Sequence, residues 1–131
     1  MKPRLLFVCV ENSCRSQMAE GFAKALGGEE VDAHSAGSKP SGIVNPKAIA
    51  SMKEVDIDLS VHTSTGLDAI SEGEWDAVVT MGCGDACPHV PAKRRLDWAL
   101  EDPKLLPPEE FAKIRDDIKS RVAALLSELR A

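Results

Sequence analysis

The sequence LLFVCVENSCRS, at residues 5–16, contains the change of pattern that indicates the fold. Its first half, residues 5–10, is a short apolar run of the kind that forms a strand buried on both faces. A polar stretch begins at Glu11, and helical periodicity follows from Ser16 onward. The sequence therefore predicts a buried strand, a short polar loop and a helix in direct succession.

Helical patterns are found in several parts of the chain. In the first, apolar residues recur every four positions at Met18, Phe22 and Leu26, and a Gly27-Gly28 pair ends the pattern. The second opens at Asn45-Pro46, which has the form of an N-cap followed by a proline at the first helical position. A weaker pattern covers residues 67–70, and the clearest one begins at Pro107-Pro108 and ends near Leu129.

Further strand-like runs are predicted at residues 31–36, 76–81 and 93–98. Strands that alternate with helices form parallel sheets with right-handed crossovers, and such sheets bind ligands outside the carboxyl ends of their strands. No repeat or linker interrupts the pattern. We therefore predict an α/β fold, with one domain over residues 1–131 that acts as a monomer.

Composition excludes several classes of protein. The 131 residues are 44% hydrophobic and 28% charged, which is typical of a single globular domain. The longest apolar run is too short to cross a bilayer, so we expect a cytoplasmic protein without a membrane anchor. With 16 basic and 21 acidic residues, the net charge is −5, and the fold as a whole repels polyanions such as nucleic acids. Any bound anion must be held by a local set of donors.

Residues 9–16, CVENSCRS, form a candidate for such a set, and we call them the anion loop. Backbone N–H groups between a strand end and a helix start can surround a tetrahedral oxyanion, and the helix dipole adds positive charge. One residue must adopt a positive φ, and because the loop lacks glycine, Asn12 is the best candidate. The predicted oxyanion-binding residues are Val10, Glu11, Asn12, Ser13, Cys14, Arg15 and Ser16.

Cys9 is the candidate nucleophile of the anion loop. A thiolate is stabilised by a helix N-terminus and a nearby guanidinium, so we expect Cys9 to be ionised at neutral pH. Arg15 can hold two oxygens of the anion with its planar fork and neutralise charge in the transition state. Ser16 either caps the helix or donates to the sulfur. Cys14 is as suited to packing as to chemistry.

Two more thiols, Cys83 and Cys87, follow the third predicted strand and should therefore lie at the same sheet edge as Cys9. The glycines on either side of Cys83 suit a segment that moves a sulfur from one partner to another. The alternative is a zinc site made of the four cysteines and His89. The spacing is not Cys-x2-Cys and an arginine lies in the loop, so the pattern favours thiol chemistry without a metal.

A reaction of this kind also needs an acid that protonates the departing oxygen. Asp102, directly before Pro103, is the candidate, and Asp97 and Glu101 compete with it on spacing alone. An aspartate before a proline is also a common turn residue.

Together these motifs resemble the low-molecular-weight tyrosine phosphatase superfamily, and within it the arsenate reductases that resolve their intermediate with further cysteines. The resemblance covers nearly the whole chain and rests on CVENSCRSQMAEG at 9–21, SAG at 35–37, NPKAI at 45–49, IDLSVHTS at 57–64 and EDP at 101–103. It implies a four-stranded parallel sheet flanked by helices. It also implies Cys9 as the nucleophile, Arg15 as the oxyanion clamp and Asp102 as the general acid.

The resemblance implies that the chain reduces arsenate for arsenic detoxification. On this hypothesis Cys9 forms a thiol-arsenate adduct, Cys83 attacks the Cys9 sulfur as arsenite leaves, and Cys87 attacks Cys83 to leave a disulfide. An external dithiol protein such as thioredoxin reduces that disulfide, and phosphate competes for the same oxyanion site. The predicted catalytic residues are thus Cys9, Arg15, Cys83, Cys87 and Asp102, with no cofactor.

Three alternatives remain open on the sequence. A phosphatase would need only Cys9, Arg15 and Asp102, but the chain has no tyrosine and Lys104 follows Pro103, so an aromatic wall for phosphotyrosine is missing there. A reductase could instead use a low-molecular-weight thiol and a glutaredoxin-like partner. A cysteine-rich module could bind metal or arsenite without catalysis.

Some of the related reductases bind potassium beside the loop. Asn12, Glu20 and Ser35 match that site, whereas Thr65 stands where those relatives carry an aspartate. We therefore predict no metal at this position.

Overall fold

The computed structural model describes residues 2–9, 12–66, 74–81, 92–98, 100 and 103–130. In these segments the strands are β1 (Arg4–Cys9), β2 (Asp32–Gly37), β3 (Trp75–Thr80) and β4 (Ala92–Asp97). The α-helices are α1 (Arg15–Gly27), α2 (Pro46–Lys53) and α3 (Pro108–Arg130). Short 3-10 helices lie at Gly28–Glu30 and Pro103–Leu105.

The four strands form one parallel sheet in the order β2-β1-β3-β4. This confirms the predicted α/β fold with a four-stranded parallel sheet and flanking helices. Because β1 lies between β2 and β3, the chain leaves β1 toward one side of the sheet and later returns to the other. Ligands bind at such a switch point, beyond the carboxyl ends of the strands. Cys9 is the last residue of β1 and lies at this position.

β1 is buried on both faces, as its apolar run predicts. Leu5 and Phe7 belong to the larger core cluster, which also contains the inner faces of α1 and α3. Leu6 and Val8 belong to a smaller cluster together with Trp75. The alternation of side chains along a strand sends neighbouring residues to opposite faces, so a continuous apolar run supplies both clusters.

The helix signals of the sequence are largely confirmed. Asn45 caps α2, since its Oδ1 accepts a hydrogen bond from the Lys47 N–H at 2.8 Å and Pro46 is the first helical residue. In α3 the buried apolar side chains are Phe111, Ile118, Val122, Leu125 and Leu126. No helix within the described segments is both long enough and apolar enough to cross a membrane.

Some boundaries differ from the prediction. β2 starts one residue later than expected and includes Gly37, while β3 and β4 each start one residue earlier. Leu26, expected on the inner face of α1, is 40% exposed. The last turn of α1 packs through Gly27 instead, where a Cβ atom would lie only 2.5 Å from Val31 Cγ2. The helix predicted at residues 67–70 lies outside the described residues.

Candidate active site

The anion loop links β1 to α1, and the polar side chains of its described residues 12–16 are turned inward. Asn12 has a φ of 51°, the positive value expected from the lack of glycine. Asn12, Ser13, Cys14, Arg15 and Ser16 are all buried, each with less than a tenth of its surface exposed. Val10 and Glu11, also predicted to bind the oxyanion, lie outside the described residues.

Ser16 contacts the sulfur of Cys9. The distance from Ser16 Oγ to Cys9 Sγ is 2.9 Å, and both residues are buried. The N-cap of α1 is Cys14, whose side chain makes no capping hydrogen bond. Of the two roles predicted for Ser16, the structure therefore shows the contact with the sulfur and not the helix cap.

Arg15 connects the anion loop to the ends of β3 and β4. Its Nη1 donates to the carbonyl oxygens of Met81 at 2.6 Å and Leu100 at 2.9 Å. Met81 is itself fixed, because its N–H donates to the Val8 carbonyl at 2.9 Å. A basic residue in the first helical turn opposes the helix dipole, and the first turn of α1 contains no acidic residue. Positive charge is thus concentrated at the start of α1, as an anion site requires.

Gln17 is a central residue of the site that the sequence analysis did not single out. Its side chain is fully buried, and Nε2 donates to Asn12 Oδ1 at 3.0 Å and to the Thr63 carbonyl at 2.9 Å. Oε1 lies 3.0 Å from His62 Nδ1. His62 lies in the matching segment 57–64, but this match gave no sign of its partner Gln17, because helical periodicity does not mark a buried glutamine.

Burial sets the protonation of His62. The side chain is only 8% exposed, and this burial lowers the pKa of His62 below its ordinary value. The carboxylate of Glu20, 3.5 Å away, acts in the opposite direction but offsets only part of the effect. His62 is therefore neutral at pH 7, and Nδ1 can carry the hydrogen that Gln17 Oε1 accepts.

The residues that match the potassium site of some relatives are engaged otherwise. Ser35 Oγ donates to Glu20 Oε1, and Lys24 Nζ lies 2.6 Å from Glu20 Oε2, so an ammonium group already neutralises this carboxylate. Asn12 Oδ1 accepts from both the Thr65 N–H and Gln17 Nε2. An amide oxygen with two donors is a poor cation ligand. The side-chain oxygens of Glu20 and Asn12 thus have protein donors as partners in this structure.

Several predicted residues lie outside the described part of the chain: Cys83, Cys87, His89, Glu101 and Asp102. The competing acid Asp97 is exposed at the end of β4, and its Oδ1 accepts from Thr80 Oγ1 at 2.8 Å. Among the residues that the structure does describe, no three His, Cys, Asp or Glu side chains group as a metal site would need.

A match to a known family agrees with this geometry. The sequence pattern of the low molecular weight phosphotyrosine protein phosphatases fits residues 4–131. The chain belongs to this family. The resemblance predicted from the anion loop and the shorter motifs is therefore confirmed.

Within this phosphatase family, the chain is similar to proteins named as arsenate reductases. One from Staphylococcus xylosus is 48% identical over 122 residues, which cover 90% of this chain and 92% of the relative. A solved arsenate reductase in a phosphate-binding state is 41% identical with a TM-score of 0.87, and the match covers 98% of each chain. A thioredoxin-dependent arsenate reductase of Corynebacterium glutamicum is 33% identical with a TM-score of 0.80, covering 98% of this chain and 62% of that one.

Proposed function

We propose that this member of the family is an arsenate reductase that uses Cys9 as its nucleophile and a dithiol protein as its reductant. The observation that carries the proposal is the environment of Cys9 Sγ. This sulfur lies 2.9 Å from the buried hydroxyl of Ser16 at the N-terminal end of α1, and Arg15 is the first residue of the same helix. The similarity to named arsenate reductases across nine-tenths of the chain supports arsenate as the substrate.

In the first step, the anion loop holds arsenate by its N–H groups and by the guanidinium of Arg15. The Cys9 thiolate attacks arsenic and forms a sulfur–arsenic bond. One arsenic–oxygen bond breaks, and Asp102 protonates the departing oxygen so that it leaves as water. Arsenic keeps its oxidation state in this step, and phosphate, which has the same shape and charge, competes for the loop.

In the second step, the Cys83 thiolate attacks Cys9 Sγ. A sulfur–sulfur bond forms, the sulfur–arsenic bond breaks, and its electron pair stays on arsenic, which leaves as arsenite. Cys87 then attacks Cys83, which forms the Cys83–Cys87 disulfide and restores the Cys9 thiolate. An external dithiol protein of the thioredoxin type reduces this disulfide and completes the cycle.

The contacts of Arg15 support the roles proposed for Cys83 and Asp102. Met81 and Leu100, whose carbonyls bind Arg15, precede Cys83 and Asp102 by two residues each in the sequence. A link of two residues spans at most about 7 Å. The chain is thus anchored at the anion loop directly before the segment with the resolving thiols and directly before the proposed acid.

The partner and the oligomeric state follow from the same proposal. The Corynebacterium glutamicum relative is named as thioredoxin-dependent, which supports a dithiol protein as the reductant here. The relay uses thiols of one chain only, so a monomer suffices for a full turnover.

The test is arsenate-dependent oxidation of reduced thioredoxin by the wild-type protein and by Cys83→Ser and Cys87→Ser. We expect turnover by the wild type and none by the two variants, although both variants should still bind phosphate because they keep the anion loop. After one turnover, Cys87→Ser should contain a Cys9–Cys83 disulfide on mass spectrometry. Cys9 joined only to a small thiol would favour the glutaredoxin-type route.

A separate assay distinguishes the hydrolytic alternative. Rapid hydrolysis of an aryl phosphate that survives the loss of both Cys83 and Cys87, without arsenate-dependent oxidation of thioredoxin, would make the protein a phosphatase. We expect weak hydrolysis at most.

A further inference from the structure

We propose that Gln17 is a positioning residue for the reaction, because it sets the direction of a chain of hydrogen bonds that makes Ser16 a donor to the Cys9 sulfur. We call His62, Gln17, Asn12, Ser16 and Cys9 the donor chain. The inference rests on the proposed role of Cys9 as the nucleophile, and it adds a residue that touches neither the sulfur nor the substrate site in the proposed mechanism.

The orientation of the Asn12 amide is the first step. Its Oδ1 faces two N–H donors, the Thr65 backbone N–H at 2.7 Å and Gln17 Nε2 at 3.0 Å. Only the oxygen of an amide can accept hydrogen bonds, so these two donors determine which side of the amide carries Oδ1. The other side, Nδ2, must then face Ser16 Oγ, at a distance of 2.8 Å.

The direction of the contact with the sulfur follows. Ser16 Oγ accepts a hydrogen from Asn12 Nδ2, and its own single hydrogen remains for Cys9 Sγ at 2.9 Å. A hydroxyl that donates to sulfur stabilises the thiolate over the thiol. All three residues are buried, and in a site of low polarity a hydrogen bond to a charged atom is stronger than in water.

Gln17 is oriented from the far end of the donor chain. Its Oε1 accepts from His62 Nδ1 at 3.0 Å, which turns Nε2 toward the Asn12 side chain and the carbonyls of Asn12 and Thr63. The groups with charge near this end are Glu20, 3.5 Å from His62 Nδ1, Lys24, paired with Glu20 at 2.6 Å, and Asp58. Among the described residues of the anion loop, Arg15 carries the charge near the sulfur end.

Gln17 also holds the backbone that the donor chain depends on. Its Nε2 lies 3.1 Å from the Asn12 carbonyl oxygen, and Asn12 has the left-handed φ of 51°. Such a conformation costs free energy in a residue with a side chain and persists when neighbouring contacts fix it. One hydrogen of Nε2 is shared between the carbonyl and the side-chain oxygen of Asn12, so one side chain supports both the backbone and the amide of this residue.

The test measures the rate at which iodoacetamide alkylates Cys9 as a function of pH, with the modified peptide identified by mass spectrometry. In Gln17→Met, which keeps the size of the side chain but has no donor, we expect the rate at pH values below the wild-type midpoint to fall about tenfold. The midpoint of the pH profile should rise by about one unit. The kcat for arsenate should fall in parallel, with little change in the Kd for phosphate.

A double-variant experiment separates positioning from general stability. If Gln17 acts through Asn12 and Ser16, then adding Gln17→Met to Ser16→Ala should change the alkylation profile no further than Ser16→Ala alone. Additive effects of the two substitutions, or a lower melting temperature with an unchanged profile, would overturn the inference. Should Gln17→Met fail to fold, Gln17→Glu, which has the same shape but places an acceptor where Nε2 stands, takes its place.

The alkylation assay needs no arsenate, so the two proposals can fail separately. A wild-type Cys9 that does not react near neutral pH would count against its role as the nucleophile. A reactive wild-type Cys9 whose profile is the same in both Gln17 variants would count against Gln17 alone.

Discussion

The backbone N–H of Asn45 donates to the Ser13 carbonyl at 3.0 Å, so the residue that caps α2 also fastens the anion loop. Asn45 has a φ of −63°, a value that proline shares. Two substitutions therefore separate the two contacts. Asn45→Ala removes the cap alone, and Asn45→Pro also removes the N–H.

We expect Asn45→Ala to lower the free energy of unfolding by about 1 kcal/mol and to leave phosphate binding unchanged. Asn45→Pro should in addition weaken phosphate binding, because the loop loses a fixed carbonyl. Urea unfolding and calorimetric titration with phosphate measure the two effects. Equal phosphate affinity in both variants would mean that the contact with Ser13 does not shape the anion loop.

Replacement of Arg15 by lysine should abolish the connection to Met81 and Leu100 and remove the planar fork. Lysine is a point charge and cannot bind an oxyanion bidentately. We expect the Kd for phosphate to rise more than about tenfold in Arg15→Lys.

Arg115→Lys is a matched control for this variant. Arg115 is as buried as Arg15, but its Nη1 binds the Ser51 carbonyl and Glu54 between α2 and α3. Its replacement should lower stability without changing phosphate affinity. Comparable losses of affinity in the two variants would show that a general loss of packing, and not the anion site, is being measured.

Asn12 combines a strained backbone with a side-chain donor, and two variants distinguish them. Asn12→Gly keeps the left-handed conformation and removes the amide, whereas Asn12→Ala removes the amide and retains the strain. The alanine variant should be less stable than the glycine variant by about 1 kcal/mol in urea unfolding. Cys9 alkylation should slow equally in both, and a stable alanine variant would contradict the assigned strain.

His62 should make stability depend on pH. Burial lowers the pKa of His62 in the folded protein, so below about pH 6.5 the unfolded chain binds the proton first. The free energy of unfolding therefore decreases as the pH falls from 6.5 toward the lowered value, by at most about 1.4 kcal/mol per pH unit.

His62→Asn tests this dependence, because its amide nitrogen can replace Nδ1 as the donor to Gln17 but does not titrate. Urea unfolding at pH 7.5 and pH 5.5 should show a smaller loss of stability in the variant than in the wild type. Identical losses would mean that other groups cause the pH dependence.

Gly27 should not tolerate a larger residue. A Cβ atom there would lie 2.5 Å from Val31 Cγ2, and the β-branched valine has little rotamer freedom with which to move away. Gly27→Ala should destabilise the protein by about 1 to 3 kcal/mol. In the background Val31→Ala the same substitution should cost much less, and full additivity would rule out the clash as the cause.

The sequence was informative where local chemistry decides the structure. The burial of β1 on both faces, the positive φ of Asn12 and the cap at Asn45 each depend on residues within a few positions of one another. Such features can be predicted because the pattern and its physical cause occupy the same short stretch.

Features that depend on distant parts of the chain could not be predicted in the same way. Gln17 binds the segment around Thr63, and Arg15 binds carbonyls far along the sequence. Backbone carbonyls carry no mark in the sequence, so only the folded chain shows which of them an arginine contacts. The exposure of Leu26 is a further case, since the close approach of Gly27 to Val31 determines how the end of α1 packs.

The anchorage of Arg15 has a consequence for how this architecture can diversify. Both acceptors are main-chain oxygens, so the guanidinium keeps its place whatever side chains stand at positions 81 and 100. The segments that follow positions 81 and 100 can therefore gain or lose cysteines and acidic residues while the guanidinium of Arg15 stays in place. An anion receptor that stays constant while the residues around it are replaced allows hydrolysis and reduction to evolve from one ancestor.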